Sequence, residues 1–584
     1  LYVTFRRARC LSEVMLECYP AVEYGIVPAA KLFIETSLVN PSNMDVELND
    51  DVKLVTNYDK TDINDYKPKQ IEIYGSTIEG GQMVYPDVGP DNLEAAVVIR
   101  MAKKRIHDAS LLQEFLKFAR ARIDELGMFD LSDVDILAFL RGQYGENRAA
   151  VLQAFIDIEL LKEDLTYGLF VKPEAYVGKD YDNFKPRMIW SCPDVVIAKF
   201  GAYFHKLGKM MATLWNGSGN MYYACGSSPS SVGAFGAKLF ETFNYMYESD
   251  VSNWDGSILQ EVLELEKYFL NTKVTGMPDD FDIMLKNWDI LNGHNSKNTV
   301  TVKMNHGRRS GDLWTSSFNS LLNLLITMWV TDTDWKTVGV LVLGDDNVVA
   351  TNKKLDVEKM VLMYAAIGME CEIIERDNIF DVTFCSGRFW SVGGTVKWGN
   401  MPFRTLQKFG INHGGHSKKK FKGLLYGTAK SLLPTAGHIP VIGTFLRAIV
   451  DSAESMKVKA IYDKKQYKGR IQGGVCEYPS LDTYSQFCAL YHYDLEYVLE
   501  CEEWISCNVH IKDFPYLLTD QLFKDGLGVD TGSEAKAAKS TVVFTNEYLT
   551  EIVPHEEEVE KLRGAKTFYE ALNKAAAFGR EEDE

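Results

Sequence analysis

The spacing of apolar positions separates helix from strand along most of this chain. Over residues 94–169 the spacing is helical: Leu111, Phe115 and Ala119 fall four apart, with Leu112 and Leu116 beside them. GLFVKPEAYV and FKPRMIWS read as two strands joined by a polar, lysine-bearing loop, and a helix is predicted over 194–213. YYACGSSPSSVGAFG, beginning at Tyr222, reads as a Gly/Ser-rich turn region. FNYMYESD (243–250) is strand-like and leads through an acidic turn into a helix starting near Ser257. Residues 310–330 form a long, mostly apolar helix, and 337–350 a strand–turn–strand. A helix over 355–367, a strand over 369–375 and the strand-like FDVTFCSGRFW (380–390) follow. Helical spacing returns at 422–432, 441–455 and 484–506, and again in a charged tail from about 555. Residues 1–95 are short strand-like runs broken by turns such as NPSN and YPDVGPDN, with no legible function. No internal repeat is present.

Composition bounds these elements. With 584 residues, 46% hydrophobic and 25% charged, the chain is globular and can fill a large core. That length suits roughly three or four domain-sized units around one cleft. No apolar run approaches the ~18 residues of a transmembrane helix. LYVTFRRARCLSEV lacks a signal-peptide layout and begins with Leu, as expected of an ordered core or a product of a longer precursor. The ten cysteines form no CxxC and no zinc-finger spacing, so free thiols in a reducing compartment are expected. The net charge of -18 argues against a nucleic-acid binder when averaged over the chain. Basic clusters at 100–105 (RMAKKR), 179–187 and 418–422 (KKKFK) nevertheless leave room for a basic channel inside an acidic shell.

The chemistry begins at LVLGDDNVVA (341–350), where Asp345 and Asp346 follow an apolar run. Adjacent carboxylates at a strand tip repel each other and lose hydration unless a cation compensates. An ordinary hairpin turn is the alternative, since G-D-D-N is good turn chemistry. Upstream, DVSNWD places Asp250 at a strand end and Asp255 just before a helix. If the 245–250 strand lies beside the 337–343 strand, Asp250 and Asp345 converge, and the two carboxylates suit a pair of Mg²⁺ ions. Otherwise Asp250 is a turn residue and Asp255 an N-cap. Between them, Ser310-Gly311 opens a turn, and Thr315, Asn319 and Asn323 recur every four residues on one helical face. That polar stripe suits a ribose or template contact, or simple capping and surface polarity.

In this order, Asp250…Asp255, Ser310-Gly311…Thr315…Asn319 and Gly344-Asp345-Asp346 resemble the palm signature of viral RNA-dependent RNA polymerases: D-x4-D, SG-x3-T-x3-N, GDD. The resemblance covers about residues 165–410, with separations of about 60 and then 35 residues. It implies an α+β fold, a closed right hand whose palm is an antiparallel sheet backed by helices. By that likeness residues 1–240 are the N-terminal region and fingers, 241–264 the first part of the palm and 265–310 a fingers insertion. The second part of the palm is then 311–397, and 398–584 the thumb and C-terminal extension. The N-terminal 95 residues are expected to tie fingers to thumb.

The same likeness implies the activity: template-directed RNA synthesis from ribonucleoside triphosphates, with release of pyrophosphate. Asp250, Asp345 and, less directly, Asp346 would carry Mg²⁺, with Mn²⁺ able to substitute. Asp255 and Asn319 would bind the ribose hydroxyls, with Ser310, Gly311 and Thr315 beside them. FVKPEAY…FKPRMIW resembles the fingers element of the nucleotide tunnel, so Lys172, Lys185 and Arg187 would meet the triphosphate; a solvated basic loop is the alternative. FCSGRFW resembles the hairpin that grips the primer, and Arg388, Arg404 and Lys408 are candidates for RNA contact. The lysine that the family often has about 30 residues after GDD is missing: Glu372, Glu375 and Arg376 stand in that register, and Lys353 and Lys354 come earlier. SGD-x2-T and FVKPE…KPR suggest the nodavirus or tombusvirus sort. The implied partners are RNA template, nascent strand, rNTPs and viral or host replication-complex proteins. The implied place is the host cytoplasm, at membrane-associated replication complexes or in the virion, with no membrane anchor in this segment. A reverse transcriptase, a catalytically dead RNA-binding scaffold and a viral structural protein are the rivals. Asp255 and Asn319 speak against the first, and the intact Asp250 and Asp345 against the second. The ordered motif set has no use in the third.

Overall fold

A computed structural model of the chain describes residues 2–4, 23–180, 182, 184–462 and 475–532. The helix expected beyond residue 555, and Cys10 and Cys18, lie outside the described residues.

The organising sheet has five strands, ordered Met221–Tyr223, Gly339–Leu343, Asp346–Thr351, Tyr245–Ser252 and Glu370–Arg376. The first pairing is parallel and the other three antiparallel. GVLVL is apolar throughout and buried at every position, as a central strand covered on both faces must be. Helix Thr315–Val330 packs on this sheet, and every residue from Ser317 to Val330 is buried. A helix buried on all sides must find partners for its polar side chains inside the protein. Helix Val357–Ala366 leans on the edge strand Glu370–Arg376.

The Tyr245–Ser252 strand lies beside Asp346–Thr351, the second arm of the GDD hairpin, and not beside Gly339–Leu343 as expected. Convergence survives because both arms end at the same turn. A second correction concerns residues 222–236, where a turn region was expected. Pro229–Thr242 is a helix, with Ser228 accepting a bond from the Ser231 amide and Pro229 in its first turn. Its glycines serve close approach: a Cβ on Gly233 would lie 2.1 Å from the Val396 carbonyl oxygen, and one on Gly236 2.6 Å from the Phe389 ring. The 484–506 helix is two helices, Leu481–Tyr491 and Leu495–Asn508, parted at His492, whose backbone is left-handed (φ 60°).

A second five-stranded sheet runs Met188–Ser191, Tyr167–Val171, Leu291–His294, Val300–Met304, Lys53–Thr56. FCSGRFW opens a three-stranded sheet of Thr383–Phe384, Gly387–Val392 and Thr395–Asn400. The N-terminal segment is hydrogen-bonded to distant parts of the chain. Lys53–Thr56 pairs with Val300–Met304, while Ile26–Pro28 and Ser76–Ile78 flank Tyr516–Leu518. One core cluster runs through the organising sheet and residues 93–398 around it. A second joins the N-terminal strands to residues 390–527. The arrangement is the α+β, fingers–palm–thumb architecture expected. The eight cysteines among the described residues are free thiols.

Candidate active site

Leu343 pairs with Asp346, so Gly344 and Asp345 are the two residues of the hairpin turn, with Gly344 supplying a positive φ of 69°. Helix Thr315–Val330 fixes that turn. The Gly344 amide donates to Ser320 Oγ (2.8 Å), and Asn323 Nδ2 donates to the carbonyls of Gly344 (3.1 Å) and Asp345 (2.9 Å). Asn347 Nδ2 donates to Asn323 Oδ1 (2.6 Å), and Ser249 Oγ donates to Asn347 Oδ1 (2.6 Å). A buried polar chain therefore ties helix, hairpin and the Asp250 strand into one unit. Ser249, Ser320 and Asn347 were not anticipated; polar residues on otherwise apolar, buried elements were the available signal.

Ser249 stands opposite Asn347, which brings Asp250 to the hairpin tip, and Asp250 stands opposite Glu372 on the other side. Asp250 and Asp345 are exposed to water, yet the protein around Asp250 is dense enough to desolvate it. Burial, then Asp345, Glu372 and Glu248, push the Asp250 carboxyl above the usual carboxylate range, and Arg187 opposes them. Asp346, next along, accepts a weak bond from the Cys385 thiol at 3.6 Å.

Asp255 lies in the short helix Trp254–Ser257, whose entry residue Asn253 is left-handed (φ 54°). Ser310 Oγ donates to Asp255 Oδ2, and Asn319 Nδ2 lies 3.4 Å from Asp255 Oδ1. Burial raises the Asp255 carboxyl; the Ser310 hydrogen bond pulls it back, and Asp345 pushes it further up. Gly311, at φ 131°, lets the chain pass the Met188–Ser191 strand: a Cβ there would lie 2.2 Å from the Trp190 carbonyl oxygen. Thr315 is occupied locally, its hydroxyl donating to the carbonyls of Arg309 and Asp312 at 3.1 Å.

A cationic wall faces these carboxylates. Lys172 and Arg187 flank Glu174 at 2.7 and 3.7 Å. Burial works against the Arg187 charge, but Glu174, Tyr176, Asp345 and Asp255 outweigh it, so the guanidinium holds its proton more tightly than usual. The Arg187 loop is pinned by a residue not anticipated in this role: Arg100 donates to the carbonyls of Lys185 (2.8 Å) and Pro186 (3.0 Å) and to Asn253 Oδ1 (3.2 Å). Lys185 itself is exposed, and its charge acts on Glu370.

Lys408 is exposed, yet closely surrounded by protein and by the same charged groups. Burial pushes its ammonium down to about 8, with Arg404, Lys172 and Arg187 adding to the effect and Glu174 opposing it. Arg404 feels burial first, then Asp530, Arg187, Glu174 and Asp346. Arg388 is not in this wall. It is buried, 3.9 Å from Asp530 Oδ1, and donates to the Val529 carbonyl at 3.4 Å, so its guanidinium is not presented to RNA. Two of the cations near the expected lysine register are also committed: Arg376 to Glu248 (2.9 Å) and Lys354 to Glu375 (3.2 Å).

Among the described residues no three His, Cys, Asp or Glu side chains form a ready-made metal cluster. The set that fits a divalent cation is the self-repelling, water-accessible Asp250–Asp345 pair with Asp346 adjacent. Hard oxygen donors of this kind suit Mg²⁺, which commonly binds through one or two carboxylates together with substrate phosphates.

The profile of the family described as viral RNA-dependent RNA polymerase matches residues 179–396, which contain all three motifs. Motifs and match agree on the likeness: over these residues the chain is similar to the viral RNA-dependent RNA polymerases. Over 252 residues, 40% of this chain, it is 28% identical to the genome polyprotein of Cosavirus A (isolate Human/Pakistan/0553/-). The matched part is 11% of that polyprotein's length. Among solved structures, the Sicinivirus 3Dpol RNA dependent RNA polymerase aligns with a TM-score of 0.49 at 17% identity, covering 77% of this chain and 96% of that one. The cosavirus match makes the likeness picornavirus-like and overturns the nodavirus or tombusvirus affinity expected from SGD-x2-T and FVKPE…KPR. Those short motifs report shared chemistry and are too small to report descent.

Proposed function

We propose that the chain extends an RNA strand on an RNA template, joining ribonucleoside monophosphates from rNTPs and releasing pyrophosphate, with two divalent metal ions held by Asp250 and Asp345. One observation carries this reading: the strand register, Ser249 opposite Asn347 and Leu343 opposite Asp346, brings Asp250 to the turn that holds Asp345, within electrostatic reach of Asp255 and Arg187. Asp346 is the less direct ligand. Divalent metal held by these carboxylates would supply a lowered pKa for the 3′-hydroxyl of the growing strand and charge neutralisation for the phosphates of the incoming nucleotide.

The chain's own groups do the rest. Arg187 and Lys172 hold the triphosphate from the fingers side, with Lys185 at the margin of the loop; Arg187 is suited to a bidentate grip. Asp255 and Asn319 bind the ribose hydroxyls, which selects rNTP because a deoxyribose leaves buried polar groups without partners. Ser310 and Gly311 hold Asp255 and the passing strand in place, and Thr315 closes the turn before the helix. The 3′-oxygen forms a bond to the α-phosphorus as the α–β anhydride bond breaks. The hydroxyl proton passes to water, and pyrophosphate departs along the cationic wall. Arg404 and Lys408 contact the RNA backbone or phosphates entering the cleft, so binding is sequence-tolerant and salt-dependent. Residues 1–240 and 265–310 serve as N-terminal region and fingers, 241–264 and 311–397 as palm, and 398–584 as thumb and extension. The working place is a host-cytoplasmic, membrane-associated replication complex; no helix among the described residues is long and apolar enough to cross a membrane.

The test is incorporation of labelled rNTPs on a homopolymeric RNA template with an oligonucleotide primer and Mg²⁺ or Mn²⁺. Wild type yields template-dependent product, and Asp345→Ala yields none while still folding and binding RNA. Equal synthesis by the variant would overturn the metal assignment.

A further inference from the structure

The Asp255–Asn319 pair is backed by a buried polar relay that the motifs do not contain. Arg308 is 2% exposed and Glu266 is fully buried. Their side chains form a two-point ion pair, with Arg308 Nη1 2.9 Å from Glu266 Oε2. Trp288 Nε1 donates to the same Oε2 at 2.8 Å. Arg308 Nε donates to Asn319 Oδ1 at 2.8 Å, and the Arg308 amide donates to the Asp255 carbonyl at 2.8 Å. The relay thus runs Trp288–Glu266–Arg308–Asn319–Asp255, from the helix Gln260–Lys273 to the short helix Trp254–Ser257.

Its physical consequence lies in the Asn319 amide. The two ends of that amide are nearly the same shape, and only hydrogen-bond partners decide which end faces where. Arginine has donors and no acceptor, so the end facing Arg308 must be the carbonyl. The NH₂ end must then face Asp255, an acceptor. With the amide reversed, Nδ2 would meet the guanidinium and Oδ1 would meet a carboxylate, two repulsive contacts in a desolvated site.

We infer that Arg308 and Glu266 are positioning residues for ribose selection: by fixing the orientation of the Asn319 amide they present a donor to the nucleotide's 2′-hydroxyl, although neither touches the nucleotide. Glu266 holds the Arg308 charge in the core and sets the plane of its fork, and Trp288 holds Glu266. This rests on the reading of Asp255 and Asn319 as the ribose site. Ribose selection in this chain is therefore written partly in a helix that forms no part of the catalytic motifs.

Removing one member of a buried ion pair leaves an unpaired charge and endangers the fold, whereas neutralising both is often tolerated. The informative variant is Arg308→Met/Glu266→Gln, in which the Gln carbonyl still accepts from Trp288. The readout is the ratio of kcat/KM for an rNTP to that for the matching dNTP on one primed template, measured for wild type, the double variant and Asn319→Ala. A general loss of stability lowers both efficiencies and leaves the ratio alone. The expected result is a fall in the ratio of about tenfold or more in both variants, with Arg308→Lys intermediate because lysine keeps a donor but not the planar fork. If Asn319→Ala lowers the ratio and the double variant does not, the relay is structural only and the inference is overturned. If Asn319→Ala itself leaves the ratio unchanged, the ribose reading fails and the inference falls with it.

Discussion

Asn323→Ala tests whether the Gly344-Asp345 turn is held from behind. Asn323 is 1% exposed and makes three close hydrogen bonds with the hairpin: to the Gly344 carbonyl (3.1 Å), to the Asp345 carbonyl (2.9 Å) and from Asn347 Nδ2 (2.6 Å). Each such bond contributes about 1 kcal/mol net, and each partner left unsatisfied in the interior costs roughly 1–3 kcal/mol. Asn347 keeps a longer contact to Thr327 Oγ1 at 3.3 Å, so the main loss is at the two turn carbonyls. The change should therefore destabilise the protein by about 3 kcal/mol. The larger effect should be kinetic, because these carbonyls belong to the residues that aim Asp345, and a shift of about 1 Å at a reacting centre costs on the order of 10²-fold in rate. The assay is steady-state rNTP incorporation at a temperature well below the variant's melting point, with melting followed separately. A loss in kcat of that order with little change in KM is expected. A variant that melts lower but retains wild-type kcat would show that the turn holds its shape without Asn323, and would refute the reasoning.

Two further perturbations follow from charge. The Asp250 carboxyl is raised in the folded state by burial and by Asp345, Glu372 and Glu248, so without metal its ionisation opposes folding; that penalty is present above the folded pKa and is relieved as pH falls towards the unfolded value. Metal-free Asp250→Asn should thus melt higher than wild type near neutral pH, with the difference shrinking on acidification and reversing when Mg²⁺ is added to wild type; a lower melting point at neutral pH without metal would contradict this. The Lys408 ammonium is pushed down to about 8, so raising pH from 7 to 9 should discharge it and weaken RNA binding in wild type. Lys408→Met should flatten that dependence in a fluorescence-anisotropy titration at fixed salt, and an identical pH profile in both proteins would remove Lys408 from the RNA path.

Much of the site was legible in the sequence because its chemistry is local. Asp250 with Asp255, Ser310-Gly311 with Asn319, and the GDD turn each lie within a few residues on one strand end, turn or helix face. Short-range periodicity also placed the Thr315–Val330 helix and the hairpin strands. The glycines of 222–236 misled for a physical reason: the same residue serves a turn and a close approach, and only the presence of Val396 and Phe389 across the gap distinguishes them. Strand neighbours were equally hidden. Local pattern gives the face of a strand but not its partner, and the Asp250 strand went to the second arm of the hairpin.

What the sequence by itself determined is the inventory: which carboxylates, which amide on the neighbouring helix, which flexible turns, and in what order. The tertiary structure decided which of the basic residues face the cleft. Arg388 turned inward to Asp530, while Lys408 and Arg404 joined Lys172 and Arg187 around Glu174. It also decided what holds the motifs in place, from Arg100 under the Arg187 loop to Arg308 and Glu266 behind Asn319. The reason is the same in each case. A charge entering the interior must find its partner wherever the fold brings one, and for Arg388 and Asp530 or Arg100 and Lys185 that partner lies many tens of residues away along the chain.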